Sequence, residues 1–522
     1  MVGMLSIFTF AQKAAQKQNF VLKNLCDNKQ HHWLTAHYLV AKDSIDIAKT
    51  VQNVERLLAE SDDLSPALEA AINMLLVAVK LLADRLNLTS RNSSKPPSSD
   101  TGREKKKRTK NDKPRGGQQG HPGYHLQPEE DPDDIHFIPI DRRTLPSGHY
   151  IECGYESRQQ FDIRISRHVT EYRAQVLEDE QGKRFVAQFP KELTRSTQYG
   201  ASIKANAVYM SMFQLIPYER IQTHFAEIFD IPISTGSVYN FNVDAYQRLA
   251  LFDTLAKEQL RQASALHVDE TSVNVDGKRL WLHNASNEKW TLLAVHAKRG
   301  KEAMDAIGVL PHFAGFLIHD HWKPYYCYSD CQHVLCNAHH KRELTRAYEQ
   351  DEQQWAHAME NLLDQINTSV SNAGGSLPEK ESKKWRRKYR QLLKNAELEC
   401  PPPEIDRQES NKRGRVARSK SRNLLERLRD YEEDVLRFMD NPLVPYTNNQ
   451  GERDLRMAKV QQKISGCFRS MKGAEIYSRI RSYLSTCQKH HVGVGEALEC
   501  LFTGTWPDFI QDALKNTGLG AE

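Results

Sequence analysis

The change of period at Ala265 constrains this chain more than anything else in it. Upstream, apolar residues recur at three- and four-residue spacing. From Ala265 they fall into short runs of strand length. Ala265–Val275 reads as a strand with Asp269 inside it. Arg279–Ala285 and Trp290–Ala297 read as two more, separated by Asn-containing turns. Lys301–Phe313 reads as a helix, Gly315–His319 as a buried strand ending in Asp320, and Val334–Asn337 as a further strand, with a helix beginning at Lys341.

The order β-β-β-α-β-α-β-α is that of a ribonuclease-H-like domain. The fold class expected is therefore α/β, with a ribonuclease-H-like catalytic core. In such a sheet the first and fourth strands are neighbours, so Asp269 and Asp320 can converge. Hard carboxylate oxygens suit Mg²⁺ or Mn²⁺, and a pair of such ions can activate an attacking oxygen and stabilise a leaving one. A third carboxylate normally completes the set. The candidate is Glu452, in the first turn of a helix whose start Asn448 and Asn449 would cap. Arg456, Lys459 and Lys463 lie four, seven and eleven residues on and share its face. Arg453 is its neighbour. Met457, Val460 and Ile464 are expected to form the apolar face.

The rest of the chain arranges itself around this block. Residues 1–90 read as helical, with a stripe at Leu68, Ile72, Leu75, Leu76, Val79, Leu82 and Leu86 that needs a partner in cis or in a second copy. Residues 91–134 are poor in apolar residues and carry Lys105, Lys106, Lys107 and Arg108 among other cations, as a mobile basic linker that gains DNA affinity by counterion release would. Residues 135–192 alternate at Phe161, Ile163 and Ile165, as a small β-containing module would. Residues 193–260 suggest a helix-turn-helix or a plain helical bundle. The core runs over 261–343, a helical insertion over 344–440, the rest of the core over 441–500 and a tail over 501–522. The insertion holds two basic clusters, one of which includes Arg413, Arg415 and Arg418; both are read as DNA contacts.

Composition excludes several classes. The chain has 522 residues, 39% hydrophobic and 27% charged, so global disorder is not expected. Nine cysteines without framework spacing argue against a secreted disulfide scaffold. The apolar run Ile72–Ala83, broken by Asn73 and Lys80, is too short to span a bilayer. No secretory signal is apparent, and a cytoplasmic location is expected. Cys327, Cys331, Cys336, His339 and His340 crowd one stretch, but their irregular spacing reads as core packing rather than zinc. Arg342 and His339 are placed near the active site, Arg342 as a forked phosphate ligand.

The strings NSSKPPSSD, HVDET (from His267), HDHWKPY (from His319), CNAHHKREL (from Cys336) and NNQGERDLRMAKVQQKISGCFRS (from Asn448) resemble transposases of the insertion sequence 66 family. The resemblance covers about residues 60–500. It implies a DDE transposase in which Asp269, Asp320 and Glu452 hold Mg²⁺ or Mn²⁺. The implied partners are double-stranded DNA (terminal inverted repeats and target), further copies of the chain and accessory proteins of the element. Family members carry two Cys-x-x-Cys pairs near 135–192; here only Cys153 remains, so no zinc is expected there. Two other readings remain open: a nuclease of the same fold that does not join ends, and a DNA-binding derivative without catalysis.

Overall fold

The computed structural model describes residues 47–60, 65–86, 88–89, 91–93, 126–403 and 418–519. Lys105, Lys106, Lys107, Arg108, Arg413 and Arg415 lie outside them. The chain divides into two compact units, one running to Thr89 and the other holding nearly all the rest.

The first unit contains α1 (Ile47–Ala59) and α2 (Pro66–Leu86). Lys80 Nζ of α2 bonds Glu55 Oε1 of α1 at 2.6 Å, and Val51 is buried. Leu68, Met74, Leu75, Val77, Val79, Leu81 and Leu82 stay exposed. Pro66–Ala83 is long and apolar enough to cross a membrane by length and composition. That differs from the shorter run read in the sequence, because the small and apolar residues before Ile72 extend it.

In the second unit, the expected β module is reduced to a hairpin of three-residue strands, β1 (Val176–Glu178) and β2 (Arg184–Val186). No residue from 126 to 200 is buried. The alternation at Phe161, Ile163 and Ile165 is real, but no strand forms there, and among the described residues no second layer covers it.

Four helices follow: α3 (Ala201–Val208), α4 (Tyr218–Phe229), α5 (Thr235–Arg248) and α6 (Ala250–Arg261). Ser234 Oγ caps α5 by accepting from Ser237 N at 3.0 Å. Val238, Phe241, Asn242 and Ala245 of α5 are buried, so much of this helix serves the bundle.

The sheet has five strands in the order β5-β4-β3-β6-β7: β3 (Ala265–Val275), β4 (Lys278–Ser286), β5 (Thr291–His296), β6 (Phe316–His319) and β7 (Gln332–Leu335). β3, β4 and β5 pair antiparallel, whereas β6 and β7 run parallel to β3. The fold is thus a mixed α/β arrangement. The β3–β4 turn uses Asp276 and Gly277 at positive φ, as a two-residue hairpin requires. Helix α7 (Lys301–Ile307) leads toward β6.

Edge strand β5 is closed by helix α14 (Met471–Lys489). Ser482 Oγ accepts from Leu293 N at 2.8 Å and Thr486 Oγ1 from Thr291 N at 3.1 Å. Side-chain hydroxyls thus satisfy edge amides that would otherwise invite another strand.

From β7 the chain enters α8 (Asn337–Asp351), then α9 (Gln354–Asn372), α10 (Glu379–Glu399), α11 (Lys420–Asp430) and α12 (Glu432–Leu436). Leu344, Leu363, Tyr389, Leu424 and Leu436 form its core, which continues to Ile318 and Val334 of the sheet. The chain returns through Tyr446, whose carbonyl accepts from Asn337 N at 3.1 Å. It then forms α13 (Asn449–Ser465) and α14, followed by α15 (Val494–Thr503) and α16 (Asp508–Thr517). Residues 501–522, expected as a tail, carry α16, because Ile510 and Leu514 share a face and are buried.

Candidate active site

Parallel pairing fixes the first two acids. The register is Ala265 to Phe316, Leu266 to Leu317 and His267 to Ile318, an offset of 51. Continued two residues beyond the last pair, this offset brings Asp269 level with Asp320. Asp320 follows the last residue of β6, and Asp269 lies two residues past the last β3–β6 pair while still paired with Asn284 of β4. Asp269 Oδ1 accepts from Glu270 N at 2.9 Å, and Asp320 Oδ1 from Trp322 N at 2.9 Å. Burial, then the charges of Glu270 and Asp320, push the Asp269 carboxyl up to about 7.

Glu452, on α13, stands beside His339 and Arg342 of α8. Its Oε1 accepts from Arg342 Nη2 of α8 at 3.2 Å and lies 4.0 Å from His339 Nε2. His339 in turn feels the charge of Asp320 and contributes to that of Asp269. The three acids, His339 and Arg342 therefore share one electrostatic neighbourhood. Glu452 is nevertheless turned onto Arg342. Among the described residues no three acidic, His or Cys side chains form a ready metal-binding cluster.

One acid that sequence reasoning missed stands beside Asp269. Glu270 is buried; Arg299 Nε and Nη2 donate to its Oε1 at 2.8 and 2.6 Å, and Tyr325 Oη donates to its Oε2. The Arg299 guanidinium lies 4.7 Å from the Trp281 ring and 4.1 Å from the Trp322 ring. Burial holds the Glu270 carboxyl above its ordinary value despite these donors. The adjacent acids in HVDET were the signal. A strand puts neighbours on opposite faces, so only one of them can meet Asp320 directly.

The basic residues divide. Arg453, Arg456 and Lys463 are exposed on α13. Lys459 Nζ instead bonds Ser272 O of β3 at 2.5 Å and is half-buried. Burial, then Arg279, lowers its pKa, so it ties α13 to the sheet. Arg418 pairs with Glu426 within the insertion. Much of the other expected DNA-contacting charge is likewise spent internally: Arg386 and Arg390 on Glu432, and Arg422 on Glu397 and Glu426. The buried face of α13 is Gly451, Leu455 and Ala458, while Ile464 is exposed. Of the face expected at Met457, Val460 and Ile464, Met457 and Val460 are partly buried and pack against the core, whereas Ile464 is not covered.

Residues 196–476, more than half of the chain, match the family model of the Transposase IS66 family. The chain belongs to the IS66 transposase family. The match spans the helices from α3, the whole sheet, the insertion and α13, so every acid discussed above lies within it. In this transposase, residues 43–127 also match a family of unknown function, DUF6444. No curated protein matches the chain.

Proposed function

We propose that this transposase is a metal-dependent polynucleotidyl transferase that cuts DNA at the ends of its element and joins them to target DNA. Asp269, Asp320 and Glu452 are its acidic triad. The observation that carries this reading is the parallel pairing of β3 with β6, whose register, continued two residues past its last pair, brings Asp269 of β3 level with Asp320 just after β6. The strand order, with an antiparallel β3–β5 meander and parallel β6 and β7 beside β3, supports a ribonuclease-H-like core.

The donor set fits a divalent cation. Three carboxylates are hard oxygen ligands, and the Asp269 carboxyl, raised first by burial and then by the charges of Glu270 and Asp320, would be relieved by a cation beside it. Asp269, Asp320 and Glu452 would hold Mg²⁺ or Mn²⁺, which when bound would make the attacking oxygen nucleophilic and offset charge building on the phosphate. Arg342, once released from Glu452, is placed to fork onto a phosphate. Arg453, Arg456 and Lys463 bind the DNA backbone beyond it. In the first step water bonds to phosphorus as the P–O3′ bond breaks, giving a 5′-phosphate and a 3′-hydroxyl; in the second that hydroxyl loses its proton and bonds to a target phosphorus as the target's own P–O3′ bond breaks and its 3′-oxygen leaves as a hydroxyl. Joining two ends calls for at least two protomers, and the exposed apolar face of α2 is a candidate contact.

The Arg342–Glu452 pair favours a second reading, in which the chain binds DNA without catalysis. A supercoiled plasmid bearing this reading frame with its flanking DNA separates the two. Purified protein with Mg²⁺ or Mn²⁺ should nick it at the element's borders and transfer strands. Asp269→Asn, Asp320→Asn and Glu452→Gln should each abolish both products while retaining DNA binding. Unchanged cleavage in all three variants would remove the catalytic assignment, and cleavage without transfer would mark a nuclease.

A further inference from the structure

Asn448 opens α13 yet does not cap it: its side chain accepts no amide of that helix. The side chain is only 2% exposed and crosses to β3. Its Nδ2 donates to Val268 O at 2.8 Å, and its Oδ1 sits 2.8 Å from His267 Nδ1. Because a carbonyl can only accept, the Val268 bond fixes which end of the amide is nitrogen. His267 must then donate from Nδ1. The main chain of Asn448 is equally committed: its N–H donates to Cys336 Sγ at 3.1 Å, and its carbonyl accepts from Glu452 N at 3.3 Å.

Asn448 thus touches the residue immediately before Asp269, the residue that follows β7 and the amide of Glu452. Gly451 completes the fit. A Cβ there would lie 3.1 Å from both Oδ1 and Nδ2 of Asn448, inside the range where a neighbour must move. We propose that Asn448, seated against Gly451, is a positioning residue that sets Glu452 against Asp269 and so completes the divalent-cation site. This rests on the catalytic reading given above.

The substitution Gly451→Ala tests it without the usual ambiguity. Within a helix, Ala for Gly favours folding, so the only penalty here is the push on Asn448. Mn²⁺ binding to the full-length protein is measured by calorimetry for the parent, Asn448→Ala, Gly451→Ala and Glu452→Gln, beside thermal melting and DNA retention in gels. Asn448→Ala and Gly451→Ala should each weaken Mn²⁺ binding by about tenfold or more, as lost supporting bonds do at metal sites. Gly451→Ala should do so with DNA retention and melting preserved, which keeps the test decisive even if Asn448→Ala unfolds. If Gly451→Ala binds Mn²⁺ like the parent while Glu452→Gln does not, Asn448 does not position the site. If Glu452→Gln also binds like the parent, the triad itself is wrong and the proposal falls with it.

Discussion

Arg342 Nη2 and Glu452 Oε1 are 3.2 Å apart across the gap between α8 and α13, with both side chains roughly a third exposed. A pair this open to water contributes at most about 1 kcal/mol. It can therefore be exchanged for a cation on one side and a phosphate on the other at small cost.

Arg342→Ala should accordingly leave melting almost unchanged. Mn²⁺ affinity should hold or tighten by up to about fivefold as the restraint on Glu452 is lifted. Cleavage should fall on the order of a hundredfold through loss of a phosphate donor. Calorimetry and plasmid nicking check the two halves separately. A loss of Mn²⁺ affinity would mean that Arg342 orients Glu452 instead of restraining it.

The Asp269 carboxyl gives a pH signature. Its ordinary value is 3.8, and in the folded protein it is raised to about 7. Between those values the native state holds a proton that the unfolded chain has released, so stability is fullest below the lower value and declines as pH rises toward the upper one. Asp269→Asn removes the decline. The variant should be more stable than its parent by roughly 1–3 kcal/mol near pH 8, with a smaller gain near pH 5. Urea unfolding at the two pH values checks this in metal-free buffer. An equal gain at both would detach the effect from this carboxyl.

Behind the site, Lys489 Nζ is enclosed by Asp454 Oδ2 at 3.0 Å, Asn287 O at 2.9 Å and Trp290 O at 3.3 Å. Asp454→Ala leaves an ammonium buried with its counter-charge removed and should cost about 3–5 kcal/mol. Asp454→Leu combined with Lys489→Met should cost much less, because neither charge is then stranded. Unfolding free energies of the two variants provide the comparison.

Gly315 lies where the chain enters β6 against the end of α6. A Cβ there would meet Ser264 O at 2.5 Å and Ala263 O at 2.7 Å. Backbone cannot swing aside as a side chain can, so Gly315→Ala should cost about 1–3 kcal/mol. It should also disturb Asp320, five residues on, so that Mn²⁺ binding weakens with stability.

The sheet was legible because its apolar runs are bounded by turn residues. Ala265–Val275 was read at its observed limits, and β4 to β7 to within a few residues. The adjacency of β3 and β6, which carry or precede Asp269 and Asp320, follows from that strand order. Burial without periodicity was not legible. The alternation at Phe161–Ile165 suggests a small β-containing module, but a strand pattern specifies a face and not what covers it. Asn448 was read as a cap from its type and place. Nothing local indicates that its amide spans to His267, 181 positions away in sequence. Lys459 looked like a phosphate ligand for the same reason: its acceptor is a main-chain oxygen on another element.

The bond from Asn337 N to Tyr446 O joins the first residue of the helical excursion to its last approach. A detour of more than a hundred residues consequently leaves and rejoins the sheet side by side, with the Asn448 N–Cys336 Sγ and Arg437 Nε–His333 O bonds holding the junction as well. Whatever is spliced between those ends, longer or shorter, the acids on either side need not shift. A lineage could remodel the helical insertion there while the sheet stays put.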